Sequence, residues 1–267
     1  MNYQRSTEII SPIMSTVTRR SPMATGRISE ATGALSVVDI YVTSYLIPTN
    51  DDETEFVAVD GGLDHNAYNI NQALNRRGHS LRKVVAFVLT HADPDHTGAI
   101  HQLGSDIPVY SSQKESDVLD GKSPSECLLK SSVARVSKLM SPIVEGVKAE
   151  VITADDVIKI GQLTIRPISL PGHTGGSLGY AISRDHRKSR WDIFPGDALE
   201  FRRNGNATRA AKVVSANITD AEQSIVHLDD VIDAEGYRNG KVWPGHSGPG
   251  DISAIKAYRQ ILQRQRQ

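Results

Sequence analysis

Apolar and polar positions along the chain predict a succession of strands and helices from residue 36 onward. Strand-like apolar runs cover residues 36 to 47, 55 to 60, 82 to 90, 107 to 111, 178 to 183, 190 to 195 and 241 to 243, with three more between 149 and 170. Apolar residues at helical spacing predict helices at 66 to 77, from the end of the 82 to 90 strand through Leu103, near 220 to 234, and from Ile252. We expect the first two strands to form a hairpin. The pattern, without internal repeats, predicts one α/β domain with helices packed outside the strands.

The first 34 residues differ in composition from the rest. They are rich in Ser, Thr and Arg, and their only acids are Glu8 and Glu30. This composition occurs in organelle transit segments, but it also fits a disordered tail or a start codon placed too early. We therefore divide the chain into a disordered or targeting-like segment, residues 1 to 34, and a folded domain, residues 35 to 267.

Charge and cysteine content narrow the classes of protein. Thirty basic and 31 acidic residues give a net charge of -1, which provides no general attraction for nucleic acid or an anionic membrane. No run of about 18 apolar residues occurs, so we expect no membrane-spanning helix. The single cysteine, Cys127, excludes an internal disulfide framework and fits a packed thiol in a reducing compartment. We expect a cytoplasmic protein with a small-molecule substrate and no nucleic-acid or membrane partner; organelle targeting and a homodimer stay open.

Histidines and aspartates are concentrated where predicted strands end. Residues 90 to 98 read THADPDHTG, later turns read LPGHTGGS, FPGDA and WPGHSGP, and the strand at 55 to 60 ends in VDGG. Any one of these would be an ordinary turn residue. Strand ends at one edge of a sheet lie close together in space, and glycines let the backbone approach a compact centre. The repeated pattern therefore indicates a metal site built from several loops.

The order of these motifs resembles that of the metallo-β-lactamase-fold hydrolases, and the resemblance covers residues 36 to 265. It implies a four-layer αββα sandwich with two divalent metal ions at one edge. It also implies that the first ion is held by His91, Asp93 and His173. The second would be held by Asp95, His96 and His246. Asp197 would bridge both ions, and Asp60 would orient a ligand histidine through a hydrogen bond.

Asp93 departs from the family pattern, which usually has HxHxDH where this chain has HADPDH. We interpret Asp93 as a ligand, because two neighbouring carboxylates repel each other unless a cation neutralises them. A weakened first site is the alternative. A third carboxylate would make a bound water less acidic and would move the preference from zinc, common in the family, toward iron or manganese. The flavodiiron relatives also carry a carboxylate at this position, with iron bound.

The resemblance implies a dinuclear metallo-hydrolase in which a metal-bridging hydroxide attacks a small ester, thioester or lactone. Asp95 would be both a ligand and a catalytic residue that orients the nucleophile. Glu200 stands where acyl-homoserine lactonases have a tyrosine, and the short stretch after His246 has no room for the helical domain of glyoxalase II, so neither branch fits simply. Candidate substrate contacts are Glu200, Arg202 and Arg203, although their basic stretch also fits a solvated loop.

Two other functions stay open. A mononuclear iron persulfide dioxygenase on the same fold would use His91, His173 and Asp197, and a relative without catalysis would only bind metal. Ser247 lacks the spacing of a serine nucleophile. The remaining histidines have no comparable context and are interpreted as surface or helix residues: His65, His79, His101, His186 and His227.

Overall fold

The computed structural model describes residues 28–103, 106–126, 146–184, 190–210 and 212–265. The predictions for Cys127 and His186 lie outside the described residues. Two six-stranded sheets form the centre of the molecule, and a separate two-stranded sheet lies beside them.

The first sheet mixes antiparallel and parallel strands. Its strands, in spatial order, are β1 (Leu35–Asp39), β2 (Val42–Pro48), β3 (Phe56–Val59), β4 (Val84–Val88), β5 (Val109–Ser111) and β6 (Glu150–Val151). The first three strands pair antiparallel, and β3 to β6 pair in parallel. The expected hairpin between the first two strand-like runs is present as the β2 and β3 pair.

The run at 36 to 47 forms two strands rather than one, because the chain reverses at Ile40. Ile40 has a positive φ of 57°, a conformation that is rare and costly for a β-branched residue. No Gly, Asn or Pro marks this turn in the sequence, so the apolar pattern alone could not locate it.

The second sheet is largely an antiparallel meander. Its strands, in spatial order, are β14 (Gly250–Asp251), β13 (Lys241–Val242), β10 (Asp192–Phe194), β9 (Leu178–Arg184), β8 (Leu163–Ser169) and β7 (Ile158–Ile160). Only β10 and β13 pair in parallel. The short sheet pairs β11 (Glu200–Phe201) with β12 (Ala207–Thr208). Of the three runs predicted between 149 and 170, the first therefore joins the other sheet as β6.

Five helices surround the sheets in the part of the chain that is described. They are α1 (Tyr68–Asn75), α2 (Pro94–Leu103), α3 (Gln113–Leu119), α4 (Ile218–Glu235) and α5 (Ser253–Gln265). The α4 helix has clear end signals: the Asn217 side chain accepts hydrogen bonds from the backbone N–H groups of Thr219 and Asp220, and Gly236 ends the helix with a positive φ of 69°.

Three apolar clusters define the layers. The middle cluster lies between the sheets and contains Val88 and Tyr180. A second joins the outer face of the first sheet to its helices, for example Phe87 to Ile100. The third packs α4 and α5 on the second sheet, for example Leu228 on Ile193. Alternate residues of one strand thus face different clusters, and the result is the expected four-layer αββα sandwich.

Residues 28 to 34 pack on this domain, although the sequence analysis placed them in the N-terminal segment. The Thr32 hydroxyl donates to the buried Asp192 carboxylate at 2.6 Å, and the Ser29 hydroxyl donates to the same oxygen. Arg184 Nε donates to the Thr32 carbonyl oxygen at 2.9 Å. The prediction for residues 1 to 27 concerns residues outside the described ranges.

The carboxyl ends of five strands meet at one edge of the sandwich. The loop after β3 carries Asp60, and the loop after β4 leads into α2. The loops after β8, β10 and β13 carry His173, Asp197 and His246. Among the described residues, none of the helices has the length and apolar character to cross a membrane.

Candidate metal centre

The loop after β4 and the first turn of α2 supply four of the candidate ligands. The helix begins at Pro94, a residue favoured there because the first helical N–H needs no partner within the helix. His91 and Asp93 therefore lie in the loop, whereas Asp95 and His96 lie on the first turn. Except for Asp95, whose side chain is partly exposed, these residues are buried.

A glycine allows the last loop to come close to this turn. A Cβ atom added to Gly245 would lie 2.6 Å from Asp197 Oδ1 and 2.8 Å from His96 Cε1. Such distances are too short for any side chain. The backbone beside His246 therefore forms a wall of the centre.

The first group of ligands is His91, Asp93 and His173. Asp93 Oδ2 lies 3.1 Å from His173 Nε2 and 3.7 Å from His91 Nε2. All three side chains are buried. Asp93 thus lies beside both histidines, with one oxygen turned toward them.

The second group of ligands is Asp95, His96 and His246. His246 Nε2 lies 3.6 Å from Asp95 Oδ2 and 3.4 Å from His96 Nε2. Asp197 lies between the two groups. Its Oδ2 is 2.9 Å from His246 Nε2 and 3.6 Å from His173 Nε2, while its Oδ1 is 3.3 Å from His96 Nε2.

Hydrogen bonds on the far side of three rings direct their Nε2 atoms inward. His246 Nδ1 donates to the Tyr41 carbonyl oxygen at 3.1 Å. His96 Nδ1 donates to Asp60 Oδ2 at 2.9 Å. The Thr90 hydroxyl gives its proton to Asp60, so its oxygen accepts from His91 Nδ1 at 3.0 Å. Once a ring has lost its second proton, its Nε2 lone pair therefore faces the centre, as a metal ligand requires.

Burial supports the same interpretation. His91 Nε2 is buried and has no hydrogen-bond partner among the described residues. A buried polar nitrogen without a partner is costly unless something else satisfies it. Three overlapping groups of side chains each bring their ligand atoms within 4.8 Å of one another: His91, Asp93 and His173; His91, His96 and Asp197; Asp95, His96 and His246. This cluster of imidazole and carboxylate ligands is compatible with divalent metal ions.

Electrostatics within the cluster are strong. Burial alone would raise the pKa of Asp197, but the surrounding histidines, His246 and His96 foremost, hold it well below its ordinary value. Burial would lower the pKa of His246, but Asp197 outweighs this effect and raises it to about 9. Burial and the neighbouring rings of His96 and His173 hold the pKa of His91 well below its ordinary value. Protons and a divalent cation therefore compete for the same nitrogens and oxygens.

The sequence analysis missed several residues that hold the ligands in place. Ser125 donates to Asp93 Oδ1 at 2.6 Å, and the buried Glu115 contacts two ligand loops. Tyr41 acts through its backbone carbonyl, which leaves no signal in a sequence. Of these residues, only Thr90 could have been predicted from the sequence, because it directly precedes His91 in the motif.

The candidate substrate residues divide into two sets. Glu200 is partly buried, and burial, followed by repulsion from Asp197, raises its pKa. Arg202 is exposed and lines a separate groove of about 490 Å³ with Glu222 and Tyr258, which no candidate ligand lines. Arg203 is exposed on the turn between β11 and β12. The structure therefore brings Glu200, and not Arg202, to the electrostatic environment of the cluster.

A different groove opens directly beside His246. It has a volume of about 480 Å³. Its lining residues are Ser36, Val38, Ile40, Tyr41, Thr43, Tyr45, Trp243, His246, Ser247, Gly248 and Pro249. Among the described residues of this lining, His246 alone can carry a charge near neutral pH. The four other described histidines lie elsewhere: His101 and His227 are exposed on helices, while His65 and His79 are partly exposed.

Curated relatives match part of the chain. Over 167 residues it is 28% identical to YobT, an uncharacterized protein of Bacillus subtilis (strain 168), covering 60% of this chain and 63% of that protein. Over 124 residues it is 30% identical to YqgX of the same organism, a probable metallo-hydrolase, covering 46% and 52%. The chain thus spans between half and two thirds of these relatives.

Solved structures share the fold. The B3 metallo-β-lactamase BLEG-1 superposes with a TM-score of 0.63 at 24% identity, over 86% of this chain and 98% of that one. The sequence profile of the Metallo-beta-lactamase superfamily, whose members are mostly hydrolases, matches residues 38–246. With fold, motifs and the His/Asp cluster in agreement, the chain belongs to the metallo-β-lactamase superfamily.

Proposed function

We propose that the chain is a dinuclear metal-dependent hydrolase for a small, neutral ester, thioester or lactone with an apolar acyl portion. One observation carries the proposal: four histidine Nε2 atoms and the Asp197 carboxylate converge from four loops, and His91 Nε2 is buried without a hydrogen-bond partner among the described residues. Two groups of three ligands with one shared carboxylate suit two ions better than one.

Two divalent ions held there would supply a hydroxide near neutral pH and would polarise the substrate carbonyl. The residues of the chain supply orientation and charge. Asp197 faces both ligand groups, and Asp60 fixes the His96 ring from behind. Asp95, whose side chain is less buried than those of the other carboxylates, lies on the open side of the cluster beside His246. From there it can orient the attacking oxygen and hold a proton destined for the leaving group.

The groove beside His246 supports the substrate class. Its lining includes Val38, Ile40 and Tyr41, which are exposed, and the described residues contribute no Lys, Arg, Asp or Glu to it. Apart from His246, an anionic or phosphorylated group would find no cationic side chain in this lining, whereas an apolar acyl chain would bury its surface. This observation favours a neutral substrate over the anionic group that Arg202 and Arg203 would have recognised.

The cofactor is proposed from the ligand types. Two divalent cations bring four positive charges, and three carboxylates, Asp93, Asp95 and Asp197, return three negative ones. Because a third carboxylate hardens the donor set, iron or manganese fits as well as zinc. Metal analysis of protein purified without added metal identifies the ion; a content of two zinc ions alone would contradict iron or manganese.

The experiment that tests hydrolysis combines metal content with a screen of chromogenic esters, thioesters and lactones of increasing acyl length. We expect turnover that rises with acyl length and disappears with a chelator. His96→Ala and His246→Ala should abolish turnover, whereas His101→Ala, an exposed histidine on the same helix as His96, should not. Oxygen uptake with glutathione persulfide in the absence of hydrolysis would overturn the proposal in favour of a dioxygenase.

A further inference from the structure

The segment from Ser112 to Glu126, which contains α3, contacts the loops that carry the first ligand group. Glu115 is only 4% exposed, and each of its carboxylate oxygens has a partner. Oε2 accepts the backbone N–H of Ala92 at 2.8 Å, and Oε1 accepts the hydroxyl of Thr174 at 2.6 Å. Ala92 lies between His91 and Asp93, and Thr174 directly follows His173. One side chain therefore joins the two loops next to all three ligands of that group.

Two further contacts come from the end of the same segment. The buried Ser125 donates its hydroxyl to Asp93 Oδ1 at 2.6 Å, and Glu126 Oε2 accepts the backbone N–H of Gly175 at 2.7 Å. Because Ser125 occupies Oδ1, Asp93 presents only Oδ2 to His91 and His173. The hydrogen bond thus fixes which oxygen of Asp93 faces the centre.

The chain makes room for this arrangement. A Cβ atom added to Gly176 would lie 2.5 Å from Glu115 Oε1, so the glycine lets the loop after His173 rest against the carboxylate. Burying a carboxylate is costly, and Asp93 nearby adds repulsion. A backbone N–H and a hydroxyl could be satisfied by a neutral group at lower cost. The two contacts therefore depend on the length and shape of this side chain rather than on its charge.

We propose that Glu115 and Ser125 are positioning residues for the metal position formed by His91, Asp93 and His173. Glu115 sets the distance between the two loops, and Ser125 sets the rotation of the Asp93 carboxylate. The inference rests on the metal centre of the proposed function, but on no particular substrate or reaction. Partners behind metal ligands commonly change affinity about 10- to 100-fold when removed.

The test measures cobalt binding rather than turnover. His246→Ala removes a ligand of the second group, and in this background the metal-free protein is titrated with Co²⁺, with binding followed by calorimetry and by the visible absorption of the bound ion. We expect Glu115→Ala and Ser125→Ala to weaken binding about 10- to 100-fold and to alter the absorption spectrum. Glu115→Gln should bind like the parent, because its amide oxygen can accept from Ala92 while its amide nitrogen donates to Thr174.

Matched controls separate positioning from folding. Gln113→Ala changes an exposed residue of the same helix and should leave cobalt binding unchanged. Thermal unfolding of each metal-free variant shows whether it folds. If Glu115→Ala does not fold, the cobalt binding of Ser125→Ala and Glu115→Gln tests the inference instead.

Three results would overturn the inference: parental binding and spectra in both alanine variants, a loss in Glu115→Gln as large as in Glu115→Ala, or a parent that binds no cobalt. The last result would also remove the proposed metal centre. Normal cobalt behaviour without any ester, thioester or lactone turnover would contradict only the proposed hydrolysis.

Discussion

The two ligand groups of the cluster are held in different ways. The first group contains the unusual Asp93 and is fixed from the α3 segment, by side chains far from the motif in sequence. The second group is fixed by Asp60 and by the carbonyl oxygen of Tyr41. The second group also borders the apolar groove, since its member His246 is one of the residues that line that groove. Under the proposed function, the first group would chiefly hold an ion, while the second would also contact the substrate.

The largest expected effect comes from removing the residue that the two groups share. Asp197→Ala deletes the carboxylate that lies within 4.0 Å of His91, His173 and His246. Both metal positions should lose affinity, and kcat/KM should fall by about 10³-fold or more, since several kcal/mol of transition-state stabilisation depend on the ions. Metal content and ester kinetics measure this. Retention of one fully occupied ion would mean that the groups are independent.

Removing the support behind His96 should have the next largest effect. Asp60→Ala leaves His96 Nδ1 without its acceptor, and we expect a loss of about 10- to 100-fold in metal affinity. The loss should be greater in the second group than in the first, which Asp60 reaches only through Thr90. Each position is measured by itself, with cobalt titrations of Asp60→Ala in a His246→Ala background for the first group and in a His173→Ala background for the second. An equal loss in both would contradict the difference described above.

Metal binding by the second group should depend on pH, because His246 must lose a proton before it can bind an ion. Although burial opposes it, Asp197 raises the pKa of His246 to about 9, from an ordinary value of 6.5. In the metal-free protein, the protonated ring therefore contributes stability that is complete below pH 6.5 and is lost as the pH rises through 9. Metal affinity should increase over the same window, because the ion displaces that proton. Calorimetry in buffers of different ionisation enthalpy would reveal the proton release; its absence at pH 7 would contradict this assignment.

A smaller change is expected from altering the charge of the first group. Asp93→His adds one positive charge to the centre, which should make a bound water more acidic and shift the acid limb of the pH–rate profile downward by roughly one pH unit. The metal content should move toward zinc. Asp93→Asn is the control that removes the charge without adding a ring. An unchanged pH–rate profile in Asp93→His would show that the charge of residue 93 does not affect the acidity of the bound water.

The smallest effect tests the exposed arginine. Arg202 lines a groove that is separate from the one beside His246. Arg202→Ala should therefore leave kcat/KM for a neutral ester unchanged and alter stability by no more than about 0.5 kcal/mol. Ile40→Ser, on the apolar groove, is the contrasting variant and should raise KM for long acyl chains. A large fall in kcat/KM for Arg202→Ala would instead favour an anionic substrate.

The resemblance of the motifs to a known family implied the four-layer sandwich. The motifs also marked the residues that cluster, because they stand at strand ends, which gather at one edge. The turn at Ile40 was not predicted, since Asp39 alone interrupts the apolar residues there and no Gly, Asn or Pro marks a reversal of the chain. The packing of Ser29 and Thr32 on Asp192 was also hidden, because it joins residues about 160 positions apart. Glu115 and Ser125 gave no signal either. Their importance depends on distances between loops, which only the folded chain defines.

Asp60 has one further consequence. Its Oδ2 oxygen receives both the His96 ring and the Thr90 hydroxyl, and Thr90 in turn orients His91. A single oxygen atom therefore links one histidine of each group. An ion that immobilises either ring also orders the other, so that part of the entropic cost of the second ion is met when the first one binds. We expect the ions to load cooperatively, with few molecules holding just one.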